Sequence, residues 1–377
     1  MILIKNANIF APEPIGTKDI LLGGGKIISI SKCIDSFSEA QIIDAKNKYL
    51  VPGFIDQHVH LIGAGGKHGF ASMTQEIKVT DLIKNGITTV VGLLGTDGAT
   101  RSIKSLYAKV KALNQQGVSA FMHTGYYGLE PLHIVGNVQD DIIFIEPVLG
   151  CKIAIADIRS SYPSDIELLR LLRQVKVGGM VAQKKGILHI HLGSLSPKMD
   201  CLFRLVNEYE FPIKHISPTH VGRTLDLFEQ AIEFAKLGGM IDITTGASKY
   251  TEPYKSVMYA LEKGVPINKI TFSSDGNAGL DKFNNKGELV GFRSAPISES
   301  FAQVKHLLRK GYLSLDKAIS LITINPAENL GLSNKGRIGI GMDADFCLLN
   351  DNFDLTEVFA KGNLLMEDCL LTIKNNF

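Results

Sequence analysis

The run Leu50-Val51-Pro52-Gly53-Phe54-Ile55-Asp56-Gln57-His58-Val59-His60 carries most of the fold reading. Its first half is apolar with a Pro-Gly step, so it reads as a short buried strand. Residues two apart on a strand face the same side, so His58 and His60 project together near the strand's C-terminal end. Taken alone, the pair fits two polar side chains satisfied by backbone better than it fits a metal site.

Working outward, residues 52–334 alternate strand and helix patterns. Strands are expected at Thr88–Leu93, Val118–Met122, Gly186–His191, Ile241–Thr244 and Lys269–Ser273. Helices with a 3.6-residue apolar stripe are expected at Ser102–Asn114, Thr224–Leu237 and Ser298–Leu308, with stops at Gly117, Gly238, Gly264 and Gly311. About eight such units fit the segment, which favours a (β/α)8 TIM barrel, an α/β fold, over an open doubly wound sheet. Such barrels place their chemistry at the C-terminal ends of the strands. Both chain ends look all-β instead: Ile2–Ile4, Asp19–Leu22 and Lys26–Ile30 at one end, Ala344–Leu349 and Glu357–Ala360 at the other. Pro12, Pro14 and Gly23–Gly25 supply turns. One small β domain built from 1–51 and 335–377 is therefore expected around a barrel of 52–334.

Composition excludes several classes of function. The net charge is +2 with no basic block, so a nucleic-acid partner is not expected. No run approaches about 18 apolar residues, so no membrane span is expected. The five cysteines form no CxxC pair, and the N-terminus lacks a basic start followed by an apolar run. A reducing, cytoplasmic setting without a leader is expected. Neither GxGxxG nor GxxxxGK[ST] is present, which removes the usual nucleotide motifs.

The candidate metal ligands accumulate at strand ends. Ile187-Leu188-His189-Ile190-His191 is a second strand ending in histidine; His189 and His191 share its face, and the later one lies nearer the end. Ser217-Pro218-Thr219-His220 and Thr271-Phe272-Ser273-Ser274-Asp275 end two further strands. Imidazoles with a carboxylate suit zinc. A pair of dications held by His58, His60, His191, His220 and Asp275 calls for one more anion. No Asp or Glu is read at the end of the intervening strand, which offers Gly150-Cys151-Lys152-Ile153 instead. Lys152 is either a surface lysine or an amine carboxylated by CO2 to an anionic carbamate.

At this point PGFIDQHVHLIGAGG, VVGLLGTD, SPTHVGR and ITFSSDGN resemble the amidohydrolase superfamily, and within it the isoaspartyl (β-aspartyl) dipeptidases. The resemblance runs along nearly the whole chain. It implies a barrel with a small β-sandwich domain, a homo-oligomer, and two zinc ions per subunit. His58, His60 and Asp275 would hold one ion and His191 and His220 the other, with carboxylated Lys152 bridging them. It implies a metal-bridging hydroxide attacking the β-aspartyl isopeptide bond of a dipeptide. Asp275 would be the general base and Tyr127 the stabiliser of the tetrahedral intermediate. Arg159 and Arg223 would hold substrate carboxylates, and Gly65 and Thr96 would contact substrate.

Two positions depart from the family. Lys67 stands where the family has a glutamate that holds the substrate α-amino group, and Gly279 stands in place of a serine. A lysine facing an ammonium is repulsive. Another small amide lacking a free α-amino group is therefore an alternative substrate, and a non-catalytic barrel scaffold is a second alternative. His68, His123, His133, His215 and His306 are expected to be structural or surface groups.

Overall fold

The computed structural model describes residues 1–35, 38–247 and 249–373. Five strands come first: β1 (Ile2–Phe10), β2 (Pro14–Gly23), β3 (Lys26–Ser31), β4 (Gln41–Asp44) and β5 (Tyr49–Pro52). The barrel strands follow: β6 (Phe54–Val59), β7 (Ile87–Gly92), β8 (Ser119–Gly125), β9 (Val148–Ile155), β10 (Ile187–Leu192), β11 (Ile216–Thr219), β12 (Ile241–Thr244) and β13 (Ile270–Ser273). These eight pair in sequence order, all parallel. Successive strands are connected by helices α1 (Val79–Ile83), α2 (Ile103–Gln115), α3 (Val138–Phe144), α4 (Asp165–Val181), α5 (Asp200–Asn207), α6 (Leu225–Lys236) and α7 (Pro253–Glu262).

The helices form where the apolar spacing predicts. In α2, Ile103, Leu106, Val110 and Leu113 face the barrel, and the Ser102 side chain accepts from Ser105 N to cap the first turn. The glycines expected to stop helices all take left-handed backbone: Gly117 at φ 101°, Gly238 at 99°, Gly264 at 86° and Gly311 at 67°. A Cβ is disfavoured there, so glycine ends the helix cheaply.

Closure between β13 and β6 is not a continuous ladder. At the lower end Ile55 N donates to Ile322 O (2.7 Å) and Phe272 N to Leu321 O (3.0 Å), so residues 321–322 bridge the seam. At the upper end Ser274 N donates to the Asp56 carboxylate (3.2 Å) and His60 N to Gly276 O (2.9 Å). The barrel is thus nearly closed, with Asp56 acting as a side-chain stitch.

After β13 the chain makes a short hairpin, β14 (Gly279–Phe283) and β15 (Leu289–Ser294), absent from the sequence reading. Helices α8 (Glu299–Arg309), α9 (Leu315–Ser320) and α10 (Ile324–Leu330) follow, then β16 (Phe346–Leu349), β17 (Leu355–Ala360), β18 (Asn363–Glu367) and β19 (Leu370–Leu371). The terminal strands join in one mixed sheet, in which β16 pairs with β5 and β4 branches from β1. It forms the small sandwich domain, with its own core of Ile4, Ile9, Ile20, Leu50, Phe346 and Phe359. Pro14, read as a turn residue, instead opens β2. No helix among the described residues is long and apolar enough to cross a membrane.

Candidate metal centre

The barrel strands carry their polar groups to one mouth. His58 lies within β6, and His60 one residue beyond it, with apolar Val59 between them buried in the surrounding core. His220 follows β11 and Asp275 follows β13 by two residues. Both adopt left-handed backbone, φ 63° for His220 and 53° for Asp275. That conformation is uncommon for residues with a side chain and is tolerated where the surroundings hold it. Here it turns the two side chains inward from the strand ends.

The result is a cluster. Metal-binding atoms of His58, His220 and Asp275 lie within 4.8 Å of one another. Asp275 Oδ1 is 3.3 Å from His58 Nε2 and 3.2 Å from His60 Nε2. Lys152, at 0 % exposure, brings Nζ within 3.4 Å of His58 Nε2. It is therefore not the surface lysine that the sequence left open. His191 stands at the edge of this group, its ring 4.6 Å from that of His220. Its Nδ1 meets Tyr127 Oη at 2.8 Å and its Nε2 meets Asp157 Oδ2 at 3.0 Å.

Electrostatics puts these groups in ligand form. Burial pushes the His58 imidazole down to about 3, helped by nearby Lys152. Burial likewise holds His191 and His220 well below the ordinary value, so each keeps a free nitrogen lone pair. For Asp275 burial opposes ionisation, but His220, His58 and His60 outweigh it and the carboxylate stays charged. Burial lowers Lys152 to about 7, against the pull of Asp275. His60 Nδ1 has no hydrogen-bond partner, and Asp275 Oδ1, though close to two imidazole nitrogens, makes no well-aligned hydrogen bond. Orphaned donors and acceptors of this kind are rare unless something binds there. The residues present fit a divalent metal of the zinc type.

Above the cluster opens a cavity of about 520 Å³. His60, Tyr127, His191, Arg223 and Asp275 line its floor side, and Gly65, Lys67, Thr96, Arg159 and Gly279 also line it. Arg159 is held by Asp157 through two forked bonds, Nε–Oδ1 2.8 Å and Nη2–Oδ2 2.7 Å, and its Nη1 reaches Thr96 Oγ1 at 3.4 Å. Its guanidinium lies 5.2 Å from the Tyr127 ring centroid. Arg223 Nη2 is 3.4 Å from His191 Nε2. Lys67 lies 3.6 Å from Asp281 Oδ2, and His68 Nε2 3.2 Å from Asp281 Oδ1, so both residues lean on the hairpin. A Cβ at Gly279 would lie 2.7 Å from the Gly65 Cα. The glycine-rich loop thus fills the space that a serine would need.

A model of the amidohydrolase family matches residues 188–365. The β-aspartyl dipeptidase of Fervidobacterium islandicum AW-1, solved in complex with a β-Asp-Leu dipeptide, is 40 % identical with a TM-score of 0.93, covering 100 % of this chain and 98 % of its own. The chain belongs to the β-aspartyl dipeptidase family of amidohydrolases. Similarity extends further, in sequence to a curated enzyme and in fold to another solved structure. The dihydroorotase of Aquifex aeolicus (strain VF5) is 26 % identical over 93 % of this chain and 90 % of its own. The dihydropyrimidinase of Brevibacillus agri NCHU1002 superposes with a TM-score of 0.69 at 17 % identity, over 98 % of this chain and 96 % of its own.

In this member of the dipeptidase family, several site residues escaped the sequence reading. An acid does end β9: Asp157, two residues past it and 5 % exposed, orients both His191 and Arg159. Asp157 lies in the loop after the strand, where no local pattern distinguishes a functional acid from an ordinary surface one. Asp157 is ionised, because Arg159 and His191 outweigh the upward push of burial. His123 and His189 are fully buried beside the cluster, with rings stacked at 5.2 Å. Thr244 Oγ1 sits 2.5 Å from His220 Nδ1. His189 was read on the face it shares with His191, and His123 as a structural group, whereas Asp157 and Thr244 carry no local signal; only the barrel's inward faces bring all four to the cluster.

Proposed function

We propose that the protein hydrolyses the isopeptide bond of β-aspartyl dipeptides. The observation that carries this reading is the combination of full-length similarity to a dipeptidase crystallised with β-Asp-Leu and a cluster of neutral imidazoles around an ionised aspartate. On this reading the barrel of 52–334 holds the chemistry and the terminal segments 1–51 and 335–377 frame it.

His58, His60 and Asp275 would hold one zinc ion and His191 and His220 a second, with Lys152 between them. Bound zinc supplies Lewis acidity, lowering the pKa of water and polarising a carbonyl. Lys152 is fully buried and pushed down to about 7, so a large share of its amine is neutral near that pH. A neutral amine is the form that combines with CO2 to give a carbamate, and the anionic product relieves the positive charge of the site.

Asp275 takes the proton of the attacking water and passes it to the departing amine. Tyr127 donates to the oxyanion. Burial raises its pKa, so the hydroxyl keeps its proton over the working range. Arg159, aimed by Asp157, and Arg223 bind substrate carboxylates through forked hydrogen bonds. Gly65 and Thr96 supply contacts on the cavity wall. The pairing of Lys67 with Asp281 moderates its repulsion of a substrate ammonium, which supports a dipeptide over an amide lacking the α-amino group. The same reading carries a cytoplasmic homo-oligomer with no nucleic-acid partner.

The test is turnover of β-Asp-Leu beside the α-linked Asp-Leu, with zinc per chain measured by elemental analysis. Two zinc ions and selective cleavage of the β-linked dipeptide are expected. Zinc without cleavage would move the reading to another small amide, and no zinc would leave a scaffold.

A further inference from the structure

We propose that His189 is a positioning residue for the metal centre, fixing which nitrogen of His58 is free to bind metal. The inference rests on the metal-hydrolase reading above and concerns residues beneath the ligands. His58 Nδ1 and His189 Nε2 are 2.9 Å apart, and His189 Nδ1 is 3.2 Å from Ser217 Oγ. The chain of bonds continues below: Asn329 Nδ2 donates to Ser217 Oγ (2.9 Å) and to Gln57 Oε1 (2.8 Å). Gln57 Nε2 in turn donates to Asp242 Oδ1 (2.7 Å). Every member is at most 2 % exposed, so water does not compete for these bonds.

Direction matters in such a chain. A neutral imidazole has one N–H and one lone pair. His58 Nε2 faces Asp275 and Lys152, so a metal there needs the lone pair on Nε2 and the proton on Nδ1. That proton must go to an acceptor, and His189 Nε2 is the atom in place. His189 then carries its own proton on Nδ1 and donates it to Ser217 Oγ. Reversed, the chain would leave a hydrogen on His58 Nε2 and block ligation. The second ring nitrogen of a metal-bound histidine is usually held by a carboxylate or a carbonyl; here another histidine serves. His123, stacked on His189 with planes 17° apart, packs against the His189 ring and supports its orientation.

The test compares His189→Leu and His189→Gln in zinc affinity, by competition with a chromogenic chelator and no substrate. His189→Leu removes the acceptor and is expected to weaken zinc binding about 10–100-fold. His189→Gln offers an amide oxygen to the same proton and is expected to recover most of the loss. Equal affinity in His189→Leu and wild type overturns the proposal, as does equal loss in both variants, which would mean packing alone. Should His189→Leu fail to fold, Ser217→Ala removes the acceptor of the second bond; it is expected to weaken zinc binding several-fold, and unchanged affinity overturns the proposal. Wild-type protein that binds zinc but leaves β-Asp-Leu intact would sink the proposed substrate and leave this inference standing. Wild-type protein that binds no zinc overturns both.

Discussion

At the scale of single residues, Asp275 concentrates the most function. It takes left-handed backbone, contacts two imidazoles, keeps its charge despite burial and lines the cavity. An amide of the same shape fits the space but cannot accept a proton. Asp275→Asn is therefore expected to leave circular dichroism and the melting curve close to wild type while kcat falls about 10²–10⁴-fold on β-Asp-Leu; retained turnover would end its role as base. Tyr127 acts later, on the developing charge. Tyr127→Phe keeps the ring that packs on His191 and Arg159 but loses the hydroxyl. A fall in kcat of about 10²–10³-fold with little change in KM is expected, and a change confined to KM would assign the hydroxyl to binding instead. The ligand types were readable in the sequence because histidines and an aspartate recur at the ends of four strands, although the His58–His60 pair alone is not decisive. Asp157 and His189 were not assigned, since a carboxylate in a loop and a second histidine on a strand have many ordinary explanations.

At the scale of elements, strands β7, β10 and β13 and helices α2, α6 and α8 fall within a residue or two of where apolar periodicity places them, whereas the run from Leu50 to His60, read as one strand, is split between β5 of the terminal sheet and β6 of the barrel. Their signals are local: a run of buried side chains, a cap, a glycine stop. The hairpin of β14 and β15 had no such signal, because its residues are mostly exposed and alternate without an apolar face. Close strand contact was equally hidden. A Cβ on Gly150 would lie 1.9 Å from Ile187 O, so any larger residue forces β9 away from β10. Because Lys152 rides on β9, the displacement would also reach the metal centre. Gly150→Ala is expected to lower stability by about 1–3 kcal/mol or more, read as a drop in Tm and in zinc retained after dialysis. An unchanged melt would show that β9 is looser than its packing implies.

At the scale of the whole molecule, the barrel encloses a dense group of buried titratable side chains. Burial holds His58, His123, His189, His191 and His220 below the ordinary histidine range. In the unfolded chain these imidazoles take up protons as pH falls through about 6.5. The folded chain resists doing so, hence the unfolded state binds more protons and stability drops with falling pH. Asp56, raised to about 7 by burial, and Asp242, also raised by burial, work in the opposite sense above their ordinary values, two groups against five. Metal-free protein is therefore expected to lose Tm markedly between pH 7.5 and 5.5; a flat or rising Tm in scanning calorimetry would contradict the buried, neutral state of these rings. Restoring zinc should raise Tm at any fixed pH in this window, because binding to the folded form alone stabilises it.

Apolar periodicity, turn residues and the placement of histidines before loops are properties of neighbouring residues, and they sufficed to specify a (β/α)8 barrel, a terminal β domain and the group of His58, His220 and Asp275. Which lysine is buried, which acid aims Arg159, where Lys67 finds its counter-charge and which proton sits on His58 depend on residues tens to hundreds of positions apart. Those relations exist only once the barrel closes, because it is closure that removes water and makes each buried charge and hydrogen bond answer to its neighbours.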